Sequence, residues 1–343
     1  MIAPYFGGIQ EWPIFVLLTA IVLLIMVLGK GADILVEEAI RFAAHWNIPT
    51  IVVGATIVSL GTTLPEAAVS VMAAMKGQPD IALGNAVGSV ICDTGLILGV
   101  ATLLSPLPLK RHIVNRQGWL QFAAGCLLII SCIPFLSLQD TFTKGGMLPR
   151  FMGVFFLLLL LLYLWFSFRL PPHGSPTGVA AHMPSSGQLS SLSCFLRLML
   201  GIGLVVTASH FLIPIVRVTA IRLNIAQGIV SATLVAFGTS LPELVTAVTA
   251  VRKGHGELAV GNVIGADILN VLFVAGASAS VSASGLLAPP LFFTVLFPAM
   301  FILLVVFRLA VQYSGAQLKR SYGVVLVGTY LVTTYVSYTQ LGT

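Results

Sequence analysis

Ala55-Thr-Ile-Val-Ser-Leu-Gly-Thr-Thr-Leu-Pro-Glu66 and, 177 residues later, Ala232-Thr-Leu-Val-Ala-Phe-Gly-Thr-Ser-Leu-Pro-Glu243 are two copies of one motif. Each places a carboxylate inside apolar sequence. Carried at the same offset to Gly99 and Gly276, the alignment keeps 18 identities in 45 positions, among them Lys76/Lys253, Gly84-Asn85/Gly261-Asn262 and Gly88/Gly265. Many of the matches are Gly, Pro, Asn, Thr and Glu, which chance similarity between two greasy helices does not supply. An internally duplicated membrane protein with a polar, acidic centre is the reading that follows.

Composition fixes the environment. With 57% apolar and 8% charged residues and a mean hydropathy of +1.03, the chain cannot clothe a water-soluble surface, and its partner is the lipid bilayer. The formal charge of +6 comes from basic residues scattered beside apolar runs, so it reports topology and not nucleic-acid binding. Cys92, Cys126, Cys132 and Cys194 show no CxxC or Cys/His ligand spacing and read as small hydrophobes. No Lys or Arg precedes the first apolar run, so the first helix is expected to be retained.

At about 20 residues per span, the sequence predicts an all-α membrane protein with ten transmembrane helices in two inverted five-helix repeats. The helices are expected near 13–34, 44–75, 80–106, 117–138, 148–170, 195–216, 224–251, 256–284, 286–308 and 321–340. With the N-terminus outside, 12 Lys and Arg fall on the cytoplasmic side and 5 on the other. Both termini are therefore predicted outside the cell (inner) membrane, and five helices per half turn the second repeat upside down. The first half is 1–170, with its repeat at 51–100; the second is 195–343, with its repeat at 228–277. Between them, 171–194 reads as a flexible cytoplasmic linker. The stretch Pro171 to Leu192 has no acidic residue, so it is no calcium sensor, and His173 and His182 are expected to be solvated. His210, beside Ser209 in an apolar run, reads as a packing or cavity-lining residue. Trp119, Tyr163 and Trp165 read as interfacial anchors, and Gly84, Gly88, Gly261 and Gly265 as close-packing positions.

The chemistry lies in the repeats. An intramembrane carboxylate costs roughly 2.5–3.5 kcal/mol even on insertion scales, so it needs a cation, a proton or a buried partner. Glu66, Asp93 and Glu243 are three such groups, and no Lys or Arg lies in the apolar sequence around them. Pro65 and Pro242 each remove a backbone donor and free carbonyls near Gly61 and Gly238. Carbonyls, hydroxyls and carboxylates are the hard oxygen donors that Ca²⁺ and Na⁺ take. No HExxH, convincing Ser/Lys or Ser/His pair or protease-type Asp dyad is present, so the sequence does not read as an enzyme and calls for no cofactor.

Gly-Thr-(Thr/Ser)-Leu-Pro-Glu followed by Gly-Asn-x-x-Gly, present twice, resembles the alpha repeats of the sodium/calcium exchanger family of the calcium/cation antiporters. The resemblance implies repeats packed face to face at the midplane around four neighbouring sites, one favouring Ca²⁺ and the others Na⁺. It implies paired calcium-binding carboxylates at Glu66 and Glu243, with hydroxyls at Thr62, Thr63, Thr239 and Ser240 and carbonyls at Ser59 and Ala236. Ser89, 23 residues after Glu66, matches a sodium-ligand hydroxyl, and Asp93 and Asn270 match the polar position 27 residues after each Glu. The chain departs from the pattern at Ala266, which stands where the first repeat has Ser89, and some prokaryotic relatives have the Asp93 and Asn270 residue types exchanged. Asp267 is an extra acid where the first repeat has Val90. It sits about 60° around the helix from Asn270 and is counted as a candidate cation ligand.

The function this implies is exchange of Na⁺ for Ca²⁺, with both as transported substrates. Three site carboxylates would be matched by three Na⁺ and nearly matched by one Ca²⁺. Alternating access is expected to come from the first and sixth helices sliding across the repeat bundle. A proton-coupled antiporter of Ca²⁺ or another divalent cation is the alternative, using the same acids. No protein partner is legible.

Overall fold

The computed structural model describes residues 8–135, 137–169, 191–223 and 239–341. These residues are mostly helical. The helices are α1 (Ile14–His45), a bent pair α2 (Thr50–Thr62) and α3 (Leu64–Met75), α4 (Pro79–Leu104), α5 (Arg111–Cys132), α6 (Arg150–Arg169), α7 (Ser191–Arg222), α8 (Leu241–Arg252), α9 (Gly256–Val281), α10 (Phe292–Tyr313) and α11 (Arg320–Leu341). Six of them are long and apolar enough to cross a membrane, and the α2–α3 pair, bent by 46°, makes a seventh if taken as one span. Lipid is the only solvent in which faces such as Leu158, Leu161, Leu162 and Phe151 of α6 stay exposed without aggregation.

The predicted boundaries shift where glycine and proline do other work than ending helices. α1 continues through Lys30 and Gly31 to His45, eleven residues past the expected end at 34. A Cβ on Gly31 would stand 2.8 Å from Leu204 Cβ, so this glycine lets α7 approach and is not a terminator. α5 starts at Arg111, where 117 was expected. The helix expected at 286–308 begins later, because 286–288 are extended and Gly285, at φ +86°, and Pro289 precede the helix. Wide turns with i→i+5 pairing interrupt the helices at Gly54–Val58, Cys92–Ile97, Asn270–Ala275 and Phe292–Leu296, a form that recurs at functional sites.

The packing repeats itself between the two halves. α6 lies on the second half of α9, and α11 lies on the second half of α4. Glycines allow both approaches: a Cβ on Gly276 would come within 3.2 Å of Gly153 O, and one on Gly323 within 2.9 Å of Gly99 O. Two short antiparallel pairings follow the same plan, β1 (Leu107–Pro108) with β4 (Gln317–Leu318) and β2 (Gly146–Leu148) with β3 (Leu286–Ala288). α5 connects β1 to β2, and at 22 residues it separates the two pairings by about 33 Å. α1 and α7 pack along each other. Lys253, after α8, ties α1 to the repeat bundle by ion pairs to Asp33 (3.0 Å) and Glu37 (2.6 Å).

Candidate cation site

α2–α3 and α8 bring the two motif glutamates to the centre of the bundle, where Glu66 is 0% and Glu243 1% exposed. Both stand in the first turn of the helix that the motif proline opens, so the free N–H groups and the helix dipole favour the carboxylate there. Pro65 has no N–H to give the Gly61 carbonyl, and Thr63 at the bend donates its hydroxyl to Glu243 Oε1 at 3.3 Å. The side chains cross between the repeats. Thr239 and Ser240 lie beside the Glu66 carboxyl, and Thr62 and Thr63 lie beside that of Glu243.

The asparagines of the Gly-Asn pairs meet the motif threonines across the repeats. Thr62 Oγ1 donates to Asn262 Oδ1 at 3.4 Å and Thr239 Oγ1 to Asn85 Oδ1 at 3.3 Å, one hydrogen bond in each direction. Asn85 Nδ2 also donates to the Glu66 carbonyl and to Ser70 Oγ. Asn270 Nδ2 donates to Asp93 Oδ2 at 3.2 Å, so the polar residues 27 positions after each glutamate meet, each within a wide turn. The carbonyl of fully buried Ser59 accepts from Thr63 N–H at 2.9 Å and from Thr62 Oγ1 at 3.3 Å, and Ser89 is buried on α4. Ala236 lies outside the described residues.

Charge is left over. Both carboxylate oxygens of Glu66, Asp93 Oδ1, Glu243 Oε2, Asn270 Oδ1 and Ser240 Oγ are buried without a hydrogen-bond partner among the described residues. No ion pair among those residues involves Glu66, Asp93, Glu243 or Asp267. Glu66 and Glu243 are close enough to repel each other, as are Asp93 and Glu243. Among the described residues no three His, Cys, Asp or Glu side chains form a tight metal cluster by themselves. A cation held here would therefore draw on hydroxyl, amide and carbonyl oxygens as well as carboxylates.

Several sequence expectations come out differently. Asp267 accepts from Thr94 and Gln121 and lies close enough to Asp93 to repel it. Tyr163 is buried and donates to the Ala55 carbonyl at 2.8 Å, so it ties α6 to the wide turn of α2 and is no interfacial anchor. Trp119 sits under Arg308, whose guanidinium carbon is 4.5 Å from the ring centroid, while Trp165 is half exposed beside Arg169. His210 is on an exposed face of α7, not in a cavity. Gly261 and Gly265 do serve close packing: a Cβ would stand 2.2 Å from Ile51 O and 2.4 Å from Ala55 O. For Gly84 and Gly88 the equivalent partners, residues 228 and 232, lie outside the described residues. Sequence reasoning missed the roles of Asn85, Asn262, Thr94 and Gln121. The repeated Gly-Asn pair, and two glutamines four apart in an apolar helix, Gln117 and Gln121, were the available signals.

Comparison with known proteins agrees with this architecture. The family model described as sodium/calcium exchanger protein matches residues 16–169 and 193–339. Inner membrane protein YrbG of Escherichia coli is 33% identical over 311 residues, covering 88% of this chain and 90% of its own length. Sodium/calcium exchanger MaX1 of Methanosarcina acetivorans is 28% identical over 339 residues, 90% of this chain and 96% of its own. The solved structure of the sodium-calcium exchanger NCX_Mj superimposes with a TM-score of 0.78 at 24% identity, covering 94% of this chain and 99% of that one. The chain has the fold of that exchanger and belongs to the sodium/calcium exchanger protein family.

Proposed function

We propose that this chain is a secondary active antiporter that exchanges Na⁺ for Ca²⁺ across the cell (inner) membrane by alternating access. One observation carries the reading: Glu66 and Glu243, from the two copies of the motif, are buried side by side with oxygens unpartnered among the described residues. Leaving such a pair without a counter-ion costs several kcal/mol per charge, and mobile cations supply the missing charge. Ca²⁺ is assigned to Glu66 and Glu243 with Thr62, Thr63, Thr239 and Ser240. Na⁺ is assigned to the flanking oxygens of Ser59, Ala236, Ser89, Asp93 and Asn270.

The chain is read as ten transmembrane helices in two inverted five-helix halves, 1–170 and 195–343, joined by a cytoplasmic linker at 171–194, with both termini outside. The exchanged pairing of β1 with β4 and β2 with β3, and of α6 with α9 and α11 with α4, supports an inverted duplication. Alternating access follows if the α1–α7 pair slides while the repeat bundle, whose halves meet at the two Asn–Thr contacts and at closely packed glycines, stays rigid.

Calcium binding to the purified protein tests the assignment, with Na⁺ as competitor. Bound Ca²⁺ is expected to be displaced by Na⁺ with a steep, greater than first-order dependence and to be lost in Glu66→Gln and in Glu243→Gln. Calcium binding that ignores Na⁺ but falls with acidification would favour proton coupling, and unchanged binding in either variant would defeat the carboxylate assignment.

A further inference from the structure

Asp267 is 2% exposed and close enough to Asp93 to repel it, yet no ion pair among the described residues involves it. Its Oδ2 accepts from the Thr94 hydroxyl and, at 2.5 Å, from Gln121 Nε2; Gln121 Nε2 also donates to Thr94 Oγ1 at 3.2 Å. Three helices, α4, α5 and α9, thus converge on one carboxylate. Oxygen remains over: Asp267 Oδ1 and Gln121 Oε1 are buried and unpartnered among the described residues. So are both amide atoms of Gln117, fully buried one turn earlier on α5. The guanidinium of Arg308, on α10, is directed elsewhere, to Asn115 Oδ1 at 2.5 Å and over Trp119.

Charge counting gives this pocket its meaning. Three Na⁺ balance the three charges of Glu66, Asp93 and Glu243 and one Ca²⁺ balances two of them, so Asp267 is a further charge that neither loaded state neutralises. A fourth buried carboxylate with no basic partner demands a counter-charge of its own. One carboxylate with a neutral amide oxygen and a hydroxyl suits a monovalent cation, since Ca²⁺ takes six to eight oxygens and several carboxylates. We propose that Asp267, Thr94 and Gln121 form a second cation site that holds a resident Na⁺ beside the exchange site in both its calcium-loaded and sodium-loaded states. The site belongs to one repeat only, because Val90 occupies the position equivalent to Asp267. It rests on the sodium-calcium reading for its charge count and extends it.

Equilibrium binding of radiolabelled Na⁺ to the purified Glu66→Gln/Asp93→Asn/Glu243→Gln protein tests the site with the central carboxylates neutralised. About one Na⁺ per chain is expected at neutral pH, lost on adding Asp267→Asn and weakened on adding Gln121→Leu. No bound Na⁺ would overturn the proposal and leave a proton as the counter-charge; Na⁺ binding indifferent to Asp267→Asn would overturn it as well. If the triple variant fails to fold, melting of wild type and Asp267→Asn at saturating Ca²⁺ gives the same answer. Na⁺ should raise the wild-type midpoint and leave that of Asp267→Asn unchanged, whereas equal responses would contradict the site. Failure of the sodium-calcium reading is distinguishable, because it would appear as Ca²⁺ and Na⁺ not competing in the wild-type protein.

Discussion

A single proline in each motif does most of the shaping at the residue scale. It frees a carbonyl, starts a new helix, and sets a glutamate in that helix's first turn. These consequences were legible in sequence because they are local and occur twice. The amide partners were not, since a Gln in an apolar run gains meaning only from what faces it, and Gln121 meets Asp267 across 146 residues of chain. Gly265 offers a sharp test of the packing. A Cβ there would lie 2.4 Å from Ala55 O and 2.5 Å from Ser59 Oγ, so Gly265→Ala must separate α9 from α2 at a cost of about 1–3 kcal/mol. The expected result is a lower melting midpoint together with weaker calcium binding, measured on the same preparation. Tyr163→Phe removes the hydrogen bond to Ala55 O and should cost about 1 kcal/mol or more, because the buried carbonyl loses its donor. An unchanged midpoint would mean that the α2 wide turn does not depend on α6.

At the scale of elements, the order of the helical segments among the described residues was readable and their ends were not. Gly31, near the expected end of the first helix, acts as a contact inside a longer one, while Pro289, expected inside a helix, precedes it. The ties between elements are tertiary and invisible in a linear reading. The Lys253 bridge to Asp33 and Glu37 joins α1 to the α8–α9 corner. The equivalent Lys76 is exposed and has no ion pair among the described residues, so this tie exists in one half only. Solvent-exposed pairs are worth about 0–1 kcal/mol each, enough to bias two nearly equal states and too little to hold the fold. Lys253→Gln is therefore expected to leave the melting midpoint within a degree or two, yet to change the rate of calcium exchange by about two- to five-fold. Raised ionic strength should reproduce part of that change in the wild type. A rate identical to wild type at low salt would show that the bridge does not bias α1.

For the whole molecule, the duplication is written plainly in the sequence, whereas its inversion is inferred from an odd number of helices and from basic-residue asymmetry. The pairing of β1 with β4 and β2 with β3 adds independent support. Lys76 and Lys253 occupy equivalent positions in the two repeats, and an inverted arrangement puts them on opposite faces of the membrane. With single cysteines at these two positions, in a background lacking Cys92, Cys126, Cys132 and Cys194, an impermeant maleimide should label position 76 in intact cells and position 253 only in inside-out vesicles. Labelling of both from the same side would refute the inversion.

The most direct test of sodium-coupled calcium exchange is Ca²⁺ uptake into proteoliposomes of the purified protein under an outward Na⁺ gradient at equal pH. Uptake that requires internal Na⁺ and is abolished by Glu66→Gln is the predicted result. Uptake driven by a pH gradient without sodium, or full uptake in Glu66→Gln, would contradict it.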